Sequence, residues 1–443
     1  MNKILRAAVI LMLMVIPLRA QWVRAYGGTE KDIAHCIFPT DDGGFIMAVE
    51  SLGVVVLKLF HDGTLEWQKY FNVVINSEIQ DMVSRPGGGY IAAGRLRNTF
   101  AIIGLTAAGE IEWCRSFVPR NGSSQSRAFA VHQLDGGGYI VAGQTHSFGE
   151  GNGDAWVMKI DESGKAIWQK SYGGSEIDLF YDIRPTGDSG FIAAGHTFSY
   201  SLGKNDLWLL KLDENGNIIW QKTLGGSEEE WARSVQVNED GGCVVAGTTA
   251  SFGAGSLDLW VVRLSQLGEV IWQKTYGDVG YDRGESLRLM SGGDLVLAGY
   301  ITIEENSDVV VIRLNPQGDI VWQRRFGGGV EEIDYEKVYF FEMAYALCVN
   351  DNDDIFAAGE TNSLGDNPMD ALVMKLPPDG AMGKCELMKE ASLVCLNSGA
   401  VIHLSGAVPL STNAIIKDLE IDARSGLFRQ RLICPTKKGK HKR

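Results

Sequence analysis

Residues 220–278 read WQKTLGGSEEEWARSVQVNEDGGCVVAGTTASFGAGSLDLWVVRLSQLGEVIWQKTYGD, a stretch that ends almost in the words with which it begins. Four short segments lie inside it, at 231–237, 243–249, 259–264 and 270–276. Each is apolar or alternating, of strand length, and enriched in Val, Ile, Trp and Tyr. Glycine pairs and a short Gly-bearing turn separate them, supplying the left-handed backbone that tight hairpins require. The unit is therefore a four-stranded meander.

The same unit recurs along the chain. Tryptophans stand at Trp22, Trp67, Trp113, Trp168, Trp220, Trp272 and Trp322, between 45 and 55 residues apart. WVRAYGG follows from Trp22, WQKSYGG from Trp168 and WQRRFGG from Trp322. Four-stranded units of this length are the size of propeller blades. Naming the strands a to d outward, six complete sets follow Trp22, and a seventh supplies a, b and c without a Trp-bearing d. The missing strand stands at the start, residues 21–26. The fold expected is all-β: a seven-bladed β-propeller of four-stranded blades over 21–380, closed by the N-terminal strand, with a short C-terminal extension. Closure removes the bare sheet edge that an open solenoid would leave. The seven tryptophans read as a packing device on strand d. Trp156, Trp208 and Trp260, on strand c of three successive units, read likewise.

With their DGGxxxAG and WQKxxGG blocks, the units resemble those of secreted bacterial and archaeal β-propeller repeat proteins. That resemblance implies the propeller fold and export, and little about activity. The string Asp161-x-x-Gly164-x-x-x-Trp168, repeated at Asp213, Gly216 and Trp220, resembles more weakly the docking motif of quinone-dependent propeller enzymes. This chain lacks the adjacent cysteines that such a cofactor site implies, and it carries Lys159 and Lys211 where the motif expects a small residue.

Residues 1–20 follow the grammar of a secretory signal: Lys3 and Arg6, an apolar run over 7–18, and Ala20 before the cut. The run is too short to span a bilayer, and no later stretch is apolar enough. The expected location is therefore outside the cytoplasm: secreted, periplasmic or cell-surface. Residues 381–436 read as a small β appendage or a sorting segment, and 437–443 as a disordered basic tail. The 443 residues carry 41 bases and 55 acids. Without the signal and the tail, 33 bases face 55 acids, a net −22 that disfavours nucleic acid as a partner. Seven cysteines, an odd number with no CxxC pair, fit neither a disulfide scaffold nor a zinc site.

No triad, HExxH, P-loop or dinucleotide fingerprint appears, and the seven histidines show no metal-type spacing. Two sets of candidates remain. Asp32, Asp178, Glu230, Asp282 and Glu342 fall in register at the start of strand a, with Ser77 and Ser126 at the same place in repeats two and three. They are expected either to form an acidic ring at one mouth of the channel, holding calcium or a basic group, or to fix the preceding Gly-Gly turn of their own blades. No other cofactor is expected. The second set belongs to the b–c and d–a connections, which share one face and vary most: Asp154, Asp206, Asp258, Asp370, Tyr335 and Tyr339. The function read from these features is a non-enzymatic scaffold binding a protein or a glycan on that face. The alternatives are an exported enzyme with a site in the central channel, quinone-dependent or hydrolytic, and a purely structural envelope component.

Overall fold

The computed structural model describes residues 21–382, apart from 72, 74–75, 119–124, 150, 304, 329–330, 334–335 and 364–368, and beyond 382 the backbone of seven short strands. The signal and the basic tail lie outside the described residues. Seven antiparallel sheets stand around a central axis, each in the order a-b-c-d. The innermost strands are Ile33–Pro39, Glu78–Ser84, Arg127–Gln133, Asp178–Pro185, Glu230–Val237, Asp282–Leu289 and Glu342–Val349, for blades 1 to 7. The seventh blade takes its strand d from Trp22–Gly27, which pairs antiparallel with Asp370–Leu376, Ala25 opposite Leu372. The ring closes as the repeat count requires.

The core is divided. Seven apolar clusters each fill the gap between two neighbouring sheets, so every blade is held by the blades beside it. Trp156, Trp208 and Trp260 are fully enclosed in these wedges. They occur where the b–c loop offers an aromatic lid: Phe148, Tyr200 and Phe252 lie 5.4, 5.9 and 6.0 Å from their rings.

The strand-d tryptophans have a different post. Each lies against the glycine of the turn that follows strand c in the next blade: Trp22 on Gly63, Trp67 on Gly109, Trp113 on Gly164, Trp168 on Gly216, Trp220 on Gly268, Trp272 on Gly318 and Trp322 on Gly380. These glycines adopt positive φ, +73° at Gly216, and any Cβ there would meet the indole. At Trp168, Trp220, Trp272 and Trp322 the indole N–H also donates into the same turn, from Trp168 to Glu214 O at 3.1 Å and from Trp322 to Pro378 O at 2.9 Å. The DxxG turn and the tryptophan are thus two halves of one junction between blades.

The described strands between 388 and 434 pack onto the ring. Among the described residues, short strands from this segment join the outer edges of successive blades. Met388–Glu390 pairs with strand d of blade 6, Val394–Asn397 with blade 5, Val401–His403 with blade 4 and Leu410–Ser411 with blade 3. Ile415–Asp418 follows on blade 2, Ala423–Arg424 on blade 1, and Arg429–Cys434 on Trp22–Gly27 of blade 7. The segment is a belt that makes every blade five-stranded. Its strands are too short to build a core of their own, whereas seven outer edges offer unpaired backbone groups.

Candidate functional site

The five carboxylates that begin strand a do not meet at the mouth. All are buried at 0% exposure, turned back into the connection that precedes them. Asp32 accepts from Gly28 N at 2.8 Å, Asp178 from Gly174 N at 2.8 Å and Glu230 from Gly226 N at 2.9 Å. Asp282 accepts from Asp278 N at 2.7 Å and Glu342 from Gly328 N at 2.9 Å. The serine of the b–c loop completes several of these sites: Ser199 Oγ donates to Asp178 at 2.6 Å, and Ser363 Oγ to Glu342. Ser77 and Ser126 sit equally buried, Ser77 Oγ accepting from Arg97 N at 3.1 Å. A short acidic side chain beside a Gly-Gly turn finds donors within its own loop sooner than a partner across the axis. Of the two expectations, the turn-fixing one describes these contacts.

Asp154, Asp206, Asp258 and Asp370 are also buried rather than displayed on the loops. Each opens strand c, and two of them hold their b–c loops: Asp206 accepts from Leu202 N at 3.2 Å and Asp258 from Gly255 N at 3.0 Å. Burial raises the pKa of Asp32, Asp258 and Glu342, and takes Asp282 up to about 7. Tyr339 is half-buried, and its carbonyl accepts from Asn362 Nδ2 at 3.3 Å. Tyr335 lies outside the described residues.

What faces the channel is a different column of the repeat. In every inner strand the pairing with strand b slips by one residue at the same place, as after Ala34, Ile79, Ala128 and Phe180. The same slip follows Ala232, Gly284 and Ala344. A bulge frees one residue from the ladder and re-aims its side chain. The seven freed residues are His35, Gln80, Phe129, Tyr181, Arg233, Glu285 and Tyr345: three aromatic rings, an imidazole, an amide, a guanidinium and a carboxylate. They line a cavity of about 440 Å³ near the start of strand a, on the side of the b–c and d–a connections.

Most of these side chains engage one another around the rim. Phe129 and Tyr181 stand with centroids 4.8 Å apart, and the Arg233 guanidinium lies 4.0 Å from the Tyr181 ring while reaching Glu285 at 3.3 Å. His35 stacks on Tyr345 at 6.3 Å, and the Tyr345 hydroxyl donates to Glu360 at 2.6 Å. Planar aromatic, guanidinium and carboxylate groups alternate, so the rim offers both flat apolar faces and hydrogen-bonding edges.

His35, Glu50 and Glu78 each bring one ligand atom within 4.8 Å of the others, a set that could hold a divalent cation such as calcium. His35 Nε2 already meets Glu50 at 2.7 Å, and this contact draws the Glu50 pKa down. Arg127 and Arg95 reach Glu78 at 2.8 and 3.4 Å, so two guanidiniums share the charge a cation would neutralise.

Further along the inner strands the cavity is lined by Asp81, Asp182, Arg184 and Arg288. The two aspartates staple blades together: Asp81 accepts from Val131 N and Asp182 from Val235 N, both at 2.9 Å. Burial pushes Asp81 up to about 6. It drives the enclosed His132 well below the ordinary histidine range, with Arg184 and Arg288 adding to the effect.

Among the described residues no helix is long and apolar enough to cross a membrane. No protein-family model matches the chain, and no curated protein does. Among solved structures it is similar to the WD40 β-propeller domain of Doa1, at 14% identity and a TM-score of 0.48 over 80% of this chain and 96% of that one. A Bacteroides caccae protein of unknown function is similar over 69% and 93%, at 11% identity and a TM-score of 0.41. Puromycin hydrolase is similar over 76% of this chain and 50% of its own, at 14% identity and a TM-score of 0.45. At these identities the likeness concerns the propeller fold and reaches no side chain of the channel.

Proposed function

We propose that this chain is an exported, non-enzymatic β-propeller that binds a glycan or a protein segment at the channel mouth on the b–c and d–a side. The observation that carries the reading is the bulge column. A repeat that keeps its tryptophans, turn glycines and buried carboxylates in register places unlike residues at the one position aimed into the cavity. Packing alone does not call for that variety; recognition does. The partnered state of the rim also favours binding over catalysis, since Glu78, Glu285, Tyr345 and His35 are each held by a neighbour. The site lies deeper than the variable loops themselves, which frame its entrance.

The test is an array of glycans and peptides probed with the labelled mature chain and with a Phe129→Ala/Tyr181→Ala variant of parental secondary structure. The reading expects at least one class of hits to vanish in the variant. Hits that survive it unchanged would place recognition elsewhere on the molecule.

A further inference from the structure

Five arginines line the cavity, and four are engaged. Arg127 pairs with Glu78 at 2.8 Å, Arg184 with Asp182 at 3.4 Å and Arg233 with Glu285 at 3.3 Å, while Arg283 lies over Trp231 at 5.4 Å. Arg288 is the exception. Among the described residues it has no carboxylate within ion-pair distance and no aromatic face. Its Nη1 donates to neutral acceptors: Leu287 O at 2.7 Å, Ser286 Oγ at 3.3 Å and Ser234 Oγ at 3.5 Å.

The nearest acids are already occupied. Asp182 takes Ile183 N, Val235 N and Arg184, and Asp81 takes Met82 N and Val131 N. Nε and Nη2 of Arg288 make no hydrogen bond among the described residues, yet neither is an enclosed polar atom left without a partner. That edge is therefore open to the cavity Arg288 lines. Two N–H groups side by side on a guanidinium are the fork that takes a planar or tetrahedral oxyanion bidentately. In a partly dehydrated cavity, with Arg184 adding positive charge, an unpaired guanidinium favours an incoming anion.

We infer that the floor of the channel is an anion site in which Arg288 grips the acidic group, carboxylate or sulfate, of a saccharide whose ring rests against the rim. The saccharide is favoured by the rim's chemistry: flat faces at Phe129, Tyr181 and Tyr345 suit the C–H faces of a pyranose, and Gln80 and Glu285 suit its hydroxyls. The cavity of about 440 Å³ is of a size for one small ligand. This inference rests on the mouth being the binding site, and it adds what sits at the bottom.

The experiment is titration calorimetry of the full mature chain with three probes: trigalacturonate, a sulfated chondroitin disaccharide and neutral maltotriose. Each is repeated on Arg288→Gln, Arg288→Lys and Phe129→Ala/Tyr181→Ala. At least one acidic probe should bind ten-fold or more tightly than maltotriose, and the comparison of the two acidic arms tells carboxylate from sulfate. Arg288→Gln should erase the preference. Arg288→Lys, which keeps the charge and loses the fork, should retain part of it and guards against a folding defect in the glutamine variant. Equal binding of acidic and neutral probes, or a preference that survives Arg288→Gln, overturns the anion site while leaving the mouth reading intact. An acidic preference lost in Arg288→Gln but kept in the aromatic double variant overturns the mouth reading and leaves the anion site. No heat with any probe overturns the saccharide assignment.

Discussion

Substituting Gly216 by alanine isolates the junction that holds one blade to the next. Gly216 sits at φ +73° in the c–d turn of blade 4, with the Trp168 indole of blade 3 against it. A Cβ there would stand 2.9 Å from two ring carbons and 3.0 Å from the Tyr172 hydroxyl oxygen. Two costs add. A left-handed conformation costs an L-residue about 1–2 kcal/mol. Forcing a methyl into a packed contact costs about 1–3 kcal/mol. The expected loss is therefore about 2–5 kcal/mol. Two controls separate the contributions. Gly43 has φ +79° with open space around its Cβ direction, so Gly43→Ala carries the backbone cost alone. Gly187 is open and outside the positive-φ set, so Gly187→Ala should be neutral or slightly stabilising. Urea unfolding at constant m-value gives the three figures. In a Trp168→Ala background the penalty at Gly216 should shrink toward that at Gly43, with the Tyr172 hydroxyl contact remaining, a coupling read directly from the cycle. If Gly216→Ala costs no more than Gly43→Ala, or the same with and without the indole, the turn-and-tryptophan junction is refuted.

Trp220 is half-buried, so Trp220→Ala should cost about 2 kcal/mol, roughly half the loss from a fully enclosed indole, by urea midpoint; a cost near zero would contradict its packing role. Asp282 is held near 7 in the fold against an ordinary 3.8, so the folded chain binds more protons between those values and stability falls as pH rises through the window. Asp282→Asn should therefore gain on the parent from about pH 4 to pH 7 and run parallel above, a trend that thermal melts would disprove by a constant offset. Truncation after residue 386 removes the belt and bares seven outer edges; light scattering should then report association at concentrations where the full chain is monodisperse, and an equally monodisperse product would deny the edges that role. The side chains of Cys36, Cys114, Cys243 and Cys348 are buried, and burial takes the Cys243 and Cys348 thiols up to about 12. Peptide mapping after alkylation of the folded chain at pH 8 should find all four unmodified, and rapid labelling of any would contradict its enclosure.

The tryptophans, the glycine of each c–d turn and the closing strand were legible because one contact repeated seven times leaves seven copies of its text. Direction was not legible. Asp178 and Glu230 stood out as a column, yet a carboxylate beside a Gly-Gly turn reads alike whether it faces the axis or its own loop, and donors at Gly174 and Gly226 decided the matter. The channel ring left the opposite kind of trace. Its members run from the rings of Phe129 and Tyr345 to the charges of Arg233 and Glu285, and a bulge has no residue signature of its own. The available signal was a variable column between two columns of small residues, such as Ala128 and Ala130, Ala232 and Ser234, or Ala344 and Ala346. The belt could not be read at all, because its strands recognise backbone edges, and edges have no sequence.

The belt makes the first described strand, Trp22–Gly27, a direct neighbour of the last described one, Arg429–Cys434. They run antiparallel with Val23 opposite Cys434, so the two ends leave the pair at the same side. Tension drawn between the termini therefore bears on this ladder one hydrogen bond at a time, as a zipper is opened, instead of shearing all its bonds together. Held by one terminus the ring carries no such load. Held by both, it has a mechanical fuse at the seam, set to part well before any blade is torn from its neighbours.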